Sequence, residues 1–311
     1  MRCPEEEYMF TVLTFAVIIA ASLAILHLLD RFVWQPKRRK EAEAAPRVIL
    51  AEVQSFWSDI EGSALPIAKA TIQDRPPLTP QESRIGGAPL AIGNNAIWPR
   101  NADSGLSMAL VAEINFAELP QMGEFPASGI LQIFSSFDMI DNAGACERVI
   151  RWDPDPQTSD LLEIPIEIQE NTHKTREFSE TARCVGLPLA FAVGRAPGNP
   201  YNWPFEENDP SMENRLPENE KVAAVLEEWE DKSERILTGY GDHWVGGHPL
   251  FVQYDVRGAY PKYQHLDRVL FHLGCDDQIN LGDAGLLNVM ISKQGLARCD
   301  FQEAYLTWDC S

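Results

Sequence analysis

Cysteine pairs, catalytic signatures and basic residues are what this sequence lacks. Its six cysteines are Cys3, Cys146, Cys184, Cys275, Cys299 and Cys310. None forms a C-x-x-C pair or joins histidines at zinc-finger spacing, which excludes the common structural zinc modules. A disulfide-stapled secreted domain is shorter and denser in cysteine, so reduced, structural thiols are expected. No G-x-S-x-G, H-E-x-x-H or G-x-G-x-x-G run occurs, and with them go the sequence signatures of the corresponding hydrolases, metalloproteases and dinucleotide binders. Basic residues are scarce: 26 Lys+Arg stand against 46 Asp+Glu, a formal net charge of −20. Such a chain repels a phosphate backbone, so no nucleic-acid partner is expected.

What is present has the make-up of a folded protein. With 45% hydrophobic and 23% charged residues over 311 positions, wholesale disorder and collagen-like fibre are excluded. The length holds one large domain or two small ones.

The N-terminus carries the clearest single signal. Met9 to Leu29 contains no formal charge. At about 1.5 Å of rise per residue, a helix of that length crosses the roughly 30 Å hydrocarbon core of a bilayer. Glu5, Glu6 and Glu7 precede the span, and Arg31, Lys37, Arg38, Arg39 and Lys40 follow it. The positive-inside rule then sends the C-terminal side to the cytoplasm. A cleaved signal peptide ending near Ala42-Glu43-Ala44 would need a basic start and no positive block before the cut, and both conditions fail. The expected layout is a short extracytoplasmic N-terminus over 1–8, a transmembrane helix over 9–29, a basic juxtamembrane linker over 30–45 and a cytosolic domain over 46–311. The lipid bilayer is thus an expected partner through residues 9–29. The remaining body is strongly acidic, which suits a protein partner with a basic surface.

Beyond the linker, Pro46 opens a helical pattern that Gly62 ends, and a second amphipathic stripe runs from Glu218 to Leu237. Most of the rest reads as strands and turns. Strands are expected at Met108 to Ile114, Gly129 to Phe134, Arg148 to Trp152, Glu163 to Ile168, Leu250 to Val256, Arg268 to Leu273 and Leu286 to Ile291. The proline-rich, acidic stretch Gly198 to Pro210 reads as an insertion.

Two parts of the body echo each other. Ile85-Gly86-Gly87-Ala88-Pro89-Leu90 and Val245-Gly246-Gly247-His248-Pro249-Leu250 share the pattern aliphatic-Gly-Gly-x-Pro-Leu. Downstream, Gly129 to Phe134 matches Gly285 to Met290, and between them Leu110 to Ile114 aligns with Leu270 to Gly274. Two related β-rich halves would explain the order.

These blocks also resemble a known family. Ser83-Arg84-Ile85-Gly86-Gly87 with Trp98-Pro99, Ala112 to Pro120 with Phe125-Pro126 and Gly129 to Gln132, and Gly246 to Pro249 with Gln253, Asp255 and Arg257 are similar to blocks of the YwqG-like family, a bacterial domain of unknown function. Asp276 to Gly285, Asp300-Phe301 and Trp308-Asp309-Cys310 continue the likeness, which spans roughly residues 65–310. The resemblance implies an α+β, β-rich domain of mixed sheets and no established reaction. Glu113 stands where the family commonly has Gln, and Leu281 where it commonly has an aromatic. With the span at 9–29, it implies a single-pass protein of the bacterial inner membrane whose C-terminal domain is cytoplasmic.

The residues themselves offer a candidate ligand site. On an expected strand, Gln253, Asp255 and Arg257 share one face, as a polar ladder or as the floor of a polar pocket. Arg84 precedes the first Gly-Gly turn, His243 the second, and Trp98 offers a flat apolar wall. Arg84, Trp98, His243, Asp255, Arg257 and Asp283 are therefore expected around one cleft where the halves meet. Asp276, Asp277 and Asp283 lack the spacing of a calcium loop, and His243 and His248 straddle a Gly-Gly turn, so neither a metal nor another cofactor is expected. The leading expectation is a membrane-anchored binding or scaffolding module. Alternatives are a hydrolase-type enzyme acting on a small polar or sugar-like substrate through Asp255, Arg257 and Asp283, or an immunity-like protein that neutralises a toxin. Whether the protein is an enzyme stays open at this point.

Overall fold

The computed structural model describes residues 62–93, 96–139, 146–171, 178–196, 242–253 and 255–310. The expected membrane span, the basic linker, the helix expected up to Gly62, the helix expected over 218–237 and the insertion at 198–210 lie outside these residues. Among the described residues no helix is long and apolar enough to cross a membrane.

Among the described residues, ten strands form one sheet. They are β1 (Leu65–Ile72), β2 (Arg84–Ile85), β3 (Ala109–Asn115), β4 (Ile130–Met139), β5 (Cys146–Asp153), β6 (Leu187–Ala196), β7 (His243–Gly246), β8 (Arg268–Gly274), β9 (Leu286–Ile291) and β10 (Tyr305–Asp309). The order across the sheet is β10-β9-β8-β7-β1-β6-β2-β3-β4-β5. Every pairing is antiparallel. This corrects the expected mixed sheets. Parallel neighbours need long crossover helices, whereas the described helices, α1 (Ile166–Gln169), α2 (Glu180–Cys184), α3 (Val256–Ala259) and α4 (Lys293–Arg298), have at most six residues. The sheet is nearly closed. At the seam between its end strands, Arg148 Nε donates to the Ala304 carbonyl and Gln302 Nε2 to the Ile150 carbonyl at 2.7 Å.

Period-two alternation places one face of this curved sheet in a common core, where Ile85, Ile114, Leu131, Leu273, Leu287 and Leu306 pack together. The opposite face is covered by the long segments that follow the two Gly-Gly turns. Leu90 and Ile92 pack on Ile130 in one half, and Phe251, Tyr263 and Leu266 pack on Met290 and Tyr305 in the other.

The registers of the two echoed parts match step for step. Leu110 faces Phe134 and Ala112 faces Ile133, with a bulge between; Val269 faces Met290 and Phe271 faces Val289, with a bulge at the same step. Trp152-Asp153 on β5 and Trp308-Asp309 on β10 pair with equivalent residues of β4 and β9. The halves are therefore β1–β5 and β6–β10, and their first strands are exchanged: β1 pairs with β7, and β6 with β2. The observed register also shifts the expected alignment by one residue. Glu113 corresponds to His272, since the former pairs with Arg84 and Gln132 and the latter with Trp244 and Asn288. A one-residue slip moves a side chain to the other face, so this correction decides which residues line the polar rows.

Two further expectations are corrected. Glu163 to Ile168 is not a strand: Pro165 stands at the N-cap of α1, where its fixed φ and missing N–H suit a helix start rather than a ladder. Leu250 to Val256 is not a strand either. The Asp255 side chain accepts from the Arg257 N–H and caps α3, a role for which aspartate is strongly favoured.

Candidate functional site

On the loop-covered face each half carries one row of largely buried side chains with polar atoms. In the first, Arg84, Glu113, Gln132 and Arg151 stand opposite one another on β2, β3, β4 and β5. In the second the equivalent row is Trp244, His272, Asn288 and Thr307 on β7, β8, β9 and β10. The third position does the same work in both. Gln132 Nε2 donates to the Leu90 carbonyl at 2.7 Å, and Asn288 Nδ2 to the Leu250 carbonyl at 2.6 Å. Those two leucines close the two Gly-Gly-x-Pro-Leu motifs, so one side-chain amide in each half ties the covering segment to the sheet.

The second positions differ in chemistry. Glu113 is ion-paired with Arg84 and accepts from the Leu90 N–H at 2.8 Å and from Gln132 Nε2 at 2.7 Å. Burial pushes its carboxyl up, while the Arg84 guanidinium, the Gln132 amide and the Leu90 N–H pull it back. Its counterpart His272 stacks on Trp244 with ring centroids 3.5 Å apart, and its Nδ1 bonds Asn288 Oδ1 at 2.8 Å. Burial pushes that imidazole down to about 3 despite the Asn288 bond, so it is neutral at physiological pH.

The six residues expected around one cleft divide between the halves. Arg84 is buried in the first row and also donates to the Pro80 carbonyl. Trp98 lies over the same half, donating Nε1 to the Met108 carbonyl at 2.7 Å and meeting Phe134 edge-on. In the second half, His243 Nδ1 accepts from the Gly274 N–H at 3.2 Å, so Nε2 carries the proton donated to Asp276 at 3.2 Å. Both ring nitrogens are thus engaged, which leaves none to act as a general base. Burial acts to raise the Asp276 carboxyl, but the His243 bond and the N–H groups of Gln278 and Ile279 hold it below its ordinary range. Asp255 and Arg257 are the two that the structure brings into direct contact. The guanidinium meets both carboxylate oxygens, with Nε at 2.9 Å from Oδ1 and Nη2 at 2.5 Å from Oδ2. Asp283 is exposed on the β8–β9 turn. Among the described residues, no group of three or more His, Cys, Asp or Glu side chains converges to hold a metal ion.

Sequence reasoning missed Gln132, Asn288 and Arg151. The echo already aligned Gln132 with Asn288, two carboxamides inside apolar strands, and that was the signal available. Arg151 gives no such signal, because an arginine on a strand reads as a solvated face.

Two copies of a strand-turn-strand unit, exchanging their first strands and each capped by a Gly-Gly segment, define a duplicated antiparallel β domain. A family model described as a domain of unknown function (DUF1963) matches residues 83–310. The match covers more than half of the chain, and the chain belongs to this YwqG-like family. No curated protein matches it.

Proposed function

We propose that the protein is a membrane-anchored binding or scaffolding module that displays its YwqG-like domain to the cytoplasm of a bacterium. The observation that carries the binding role is how the charged residues are used. Arg84 with Glu113, Arg257 with Asp255, and His243 with Asp276 are spent on each other and on loop backbone. A hydrolytic reading through Asp255 and Arg257 would need those groups free to meet a substrate. The anchoring role rests on the uncharged run Met9 to Leu29 and the basic collar after it. The excess of 46 acidic over 26 basic residues favours a partner whose surface is basic. Affinity purification of the full chain from detergent-solubilised membranes tests the reading. Recovery of a stoichiometric protein partner, released by raised salt, is the expected result. A partner-free monomer that turns over a small polar substrate would contradict it.

A further inference from the structure

The first polar row ends in a cation that the fold does not require. Arg151 stands opposite Gln132 on β5, whereas the equivalent position opposite Asn288 is Thr307. The two halves keep the same strands, bulge and amide tie with a neutral side chain at one of these places and a guanidinium at the other. Arg151 is half-buried in a strongly acidic chain, yet no carboxylate among the described residues pairs with it. Its Nη2 donates to the Ile97 carbonyl, its guanidinium lies 5.4 Å from the centroid of the Phe134 ring, and its Nη1 is buried with no hydrogen-bond partner.

The neighbouring side chain is incomplete in the complementary sense. Gln132 is fully buried. Its amide nitrogen is spent on Leu90 and Glu113, and its Oε1 has no partner. A buried donor and a buried acceptor therefore stand on adjacent, directly opposed residues of one sheet face, each unsatisfied. Buried polar groups in folded proteins are overwhelmingly partnered, and an unpartnered pair on one face points to a missing third group. Ile97, whose carbonyl accepts from Arg151 Nη2 in the covering segment, is itself 71% exposed.

We propose that Arg151 Nη1 and Gln132 Oε1 together bind a small oxyanion that carries its own hydroxyl group, of which hydrogen phosphate is the simplest example. The chemistry follows from the two atoms. A guanidinium N–H donates to a charged oxygen and neutralises it. A carboxamide oxygen only accepts, so the ligand atom facing Gln132 must bear a hydrogen. Hydrogen phosphate offers both an anionic oxygen and a P–OH at neutral pH, whereas sulfate offers anionic oxygens alone. This site is independent of the membrane anchor and of any protein partner. The second row also has an unpartnered pair, Trp244 Nε1 and His272 Nε2, but with Thr307 in place of the arginine it has no cation to meet an anion there.

Thermal unfolding of the full chain at pH 7, in sodium phosphate, sodium sulfate and sodium chloride at matched ionic strength, tests the proposal. Phosphate is expected to raise the midpoint saturably, at a concentration about ten-fold lower than sulfate needs, the margin of one hydrogen bond. Arg151→Gln is expected to abolish the saturable shift. Arg100→Gln, which alters an exposed arginine paired with Glu167, is expected to retain it. Equal shifts in sulfate and phosphate, no saturable shift at all, or a shift that persists in Arg151→Gln would each overturn the proposal. Should Arg151→Gln fail to fold, the comparison of phosphate with sulfate on the unaltered chain decides.

Discussion

Arg257 is 1% exposed and spends its guanidinium on both oxygens of Asp255, on the Leu266 carbonyl and near the face of Phe251. Removing one member of such a pair leaves a buried charge without compensation. Arg257→Ala is therefore expected to lower stability by about 3–5 kcal/mol. Asp255→Ala should cost a comparable amount and the double variant clearly less than the sum, as read from urea unfolding midpoints. His272 supplies a second prediction at this scale. Its folded-state pKa, about 3, lies below the ordinary 6.5, so the folded protein binds fewer protons than the unfolded chain between those values. The stability it confers is complete above about pH 6.5 and is lost as pH falls towards 3. His248, pushed down by burial, acts in the same direction. Glu124, held at about 2 chiefly by its bond to Arg268, adds its own loss only below about pH 4.5. Between pH 6.5 and 5 the slope of stability against pH should thus be shallower in His272→Gln than in the natural chain. Equal slopes would show that this imidazole is not buried as described.

The Gly-Gly turns join residues to elements, and their glycines are fixed by where the exchanged strands run. Gly86 has φ +66°, and a Cβ there would stand 2.1 Å from the Ala182 carbonyl oxygen of α2, just before β6. Gly246 has φ +85°, and a Cβ would stand 2.7 Å from the Pro66 carbonyl oxygen of β1. Each turn therefore rests on backbone that leads into, or belongs to, the strand its half receives from the other. Gly86→Ala and Gly246→Ala should each destabilise strongly, whereas Gly93→Ala, with nothing within 4 Å of an added Cβ, should cost only the strain of its positive φ. Midpoints of thermal unfolding for the three variants check this. Much of this level was legible from sequence: β3, β4, β5, β8 and β9 follow apolar runs bounded by turn residues, and the Gly-Gly echo located the repeat. The runs at β1 and β6 were not legible as partners. LPIAKATI and LPLAFAVGRA carry proline, alanine and glycine, which weaken a strand signal, and their pairing is set wholly by long-range contacts. The Asp255 cap escaped for a related reason: alternation over Gln253, Asp255 and Arg257 mimics a strand until the capping hydrogen bond is seen.

At the scale of the molecule, the exchange means that the connection over 197–241, which joins β6 to β7 within the second half, is not needed to keep β7–β10 on the rest of the sheet. β1 pairs with β6 along its full length and also with β7. An engineered protease site in that connection should, after cleavage, leave two fragments that co-elute at the mass of the uncut chain under native conditions and separate only in denaturant. The candidate site was less legible than the fold, because the six chemically attractive residues were singled out by type. Burial assigned Arg84, Asp255 and Arg257 to ion pairs, while Gln132 and Arg151, neither of them conspicuous by type, carry unsatisfied buried atoms on opposed positions of one row. The proposed role of the protein depends first on where its acidic domain is displayed. Protease added to intact spheroplasts of a bacterium expressing the full chain tests it most directly. The body from Pro46 onward is expected to stay with the membrane, uncut until the cells are lysed. Digestion of that body in intact spheroplasts, or its release as a free protein when the cells are opened without detergent, would contradict it.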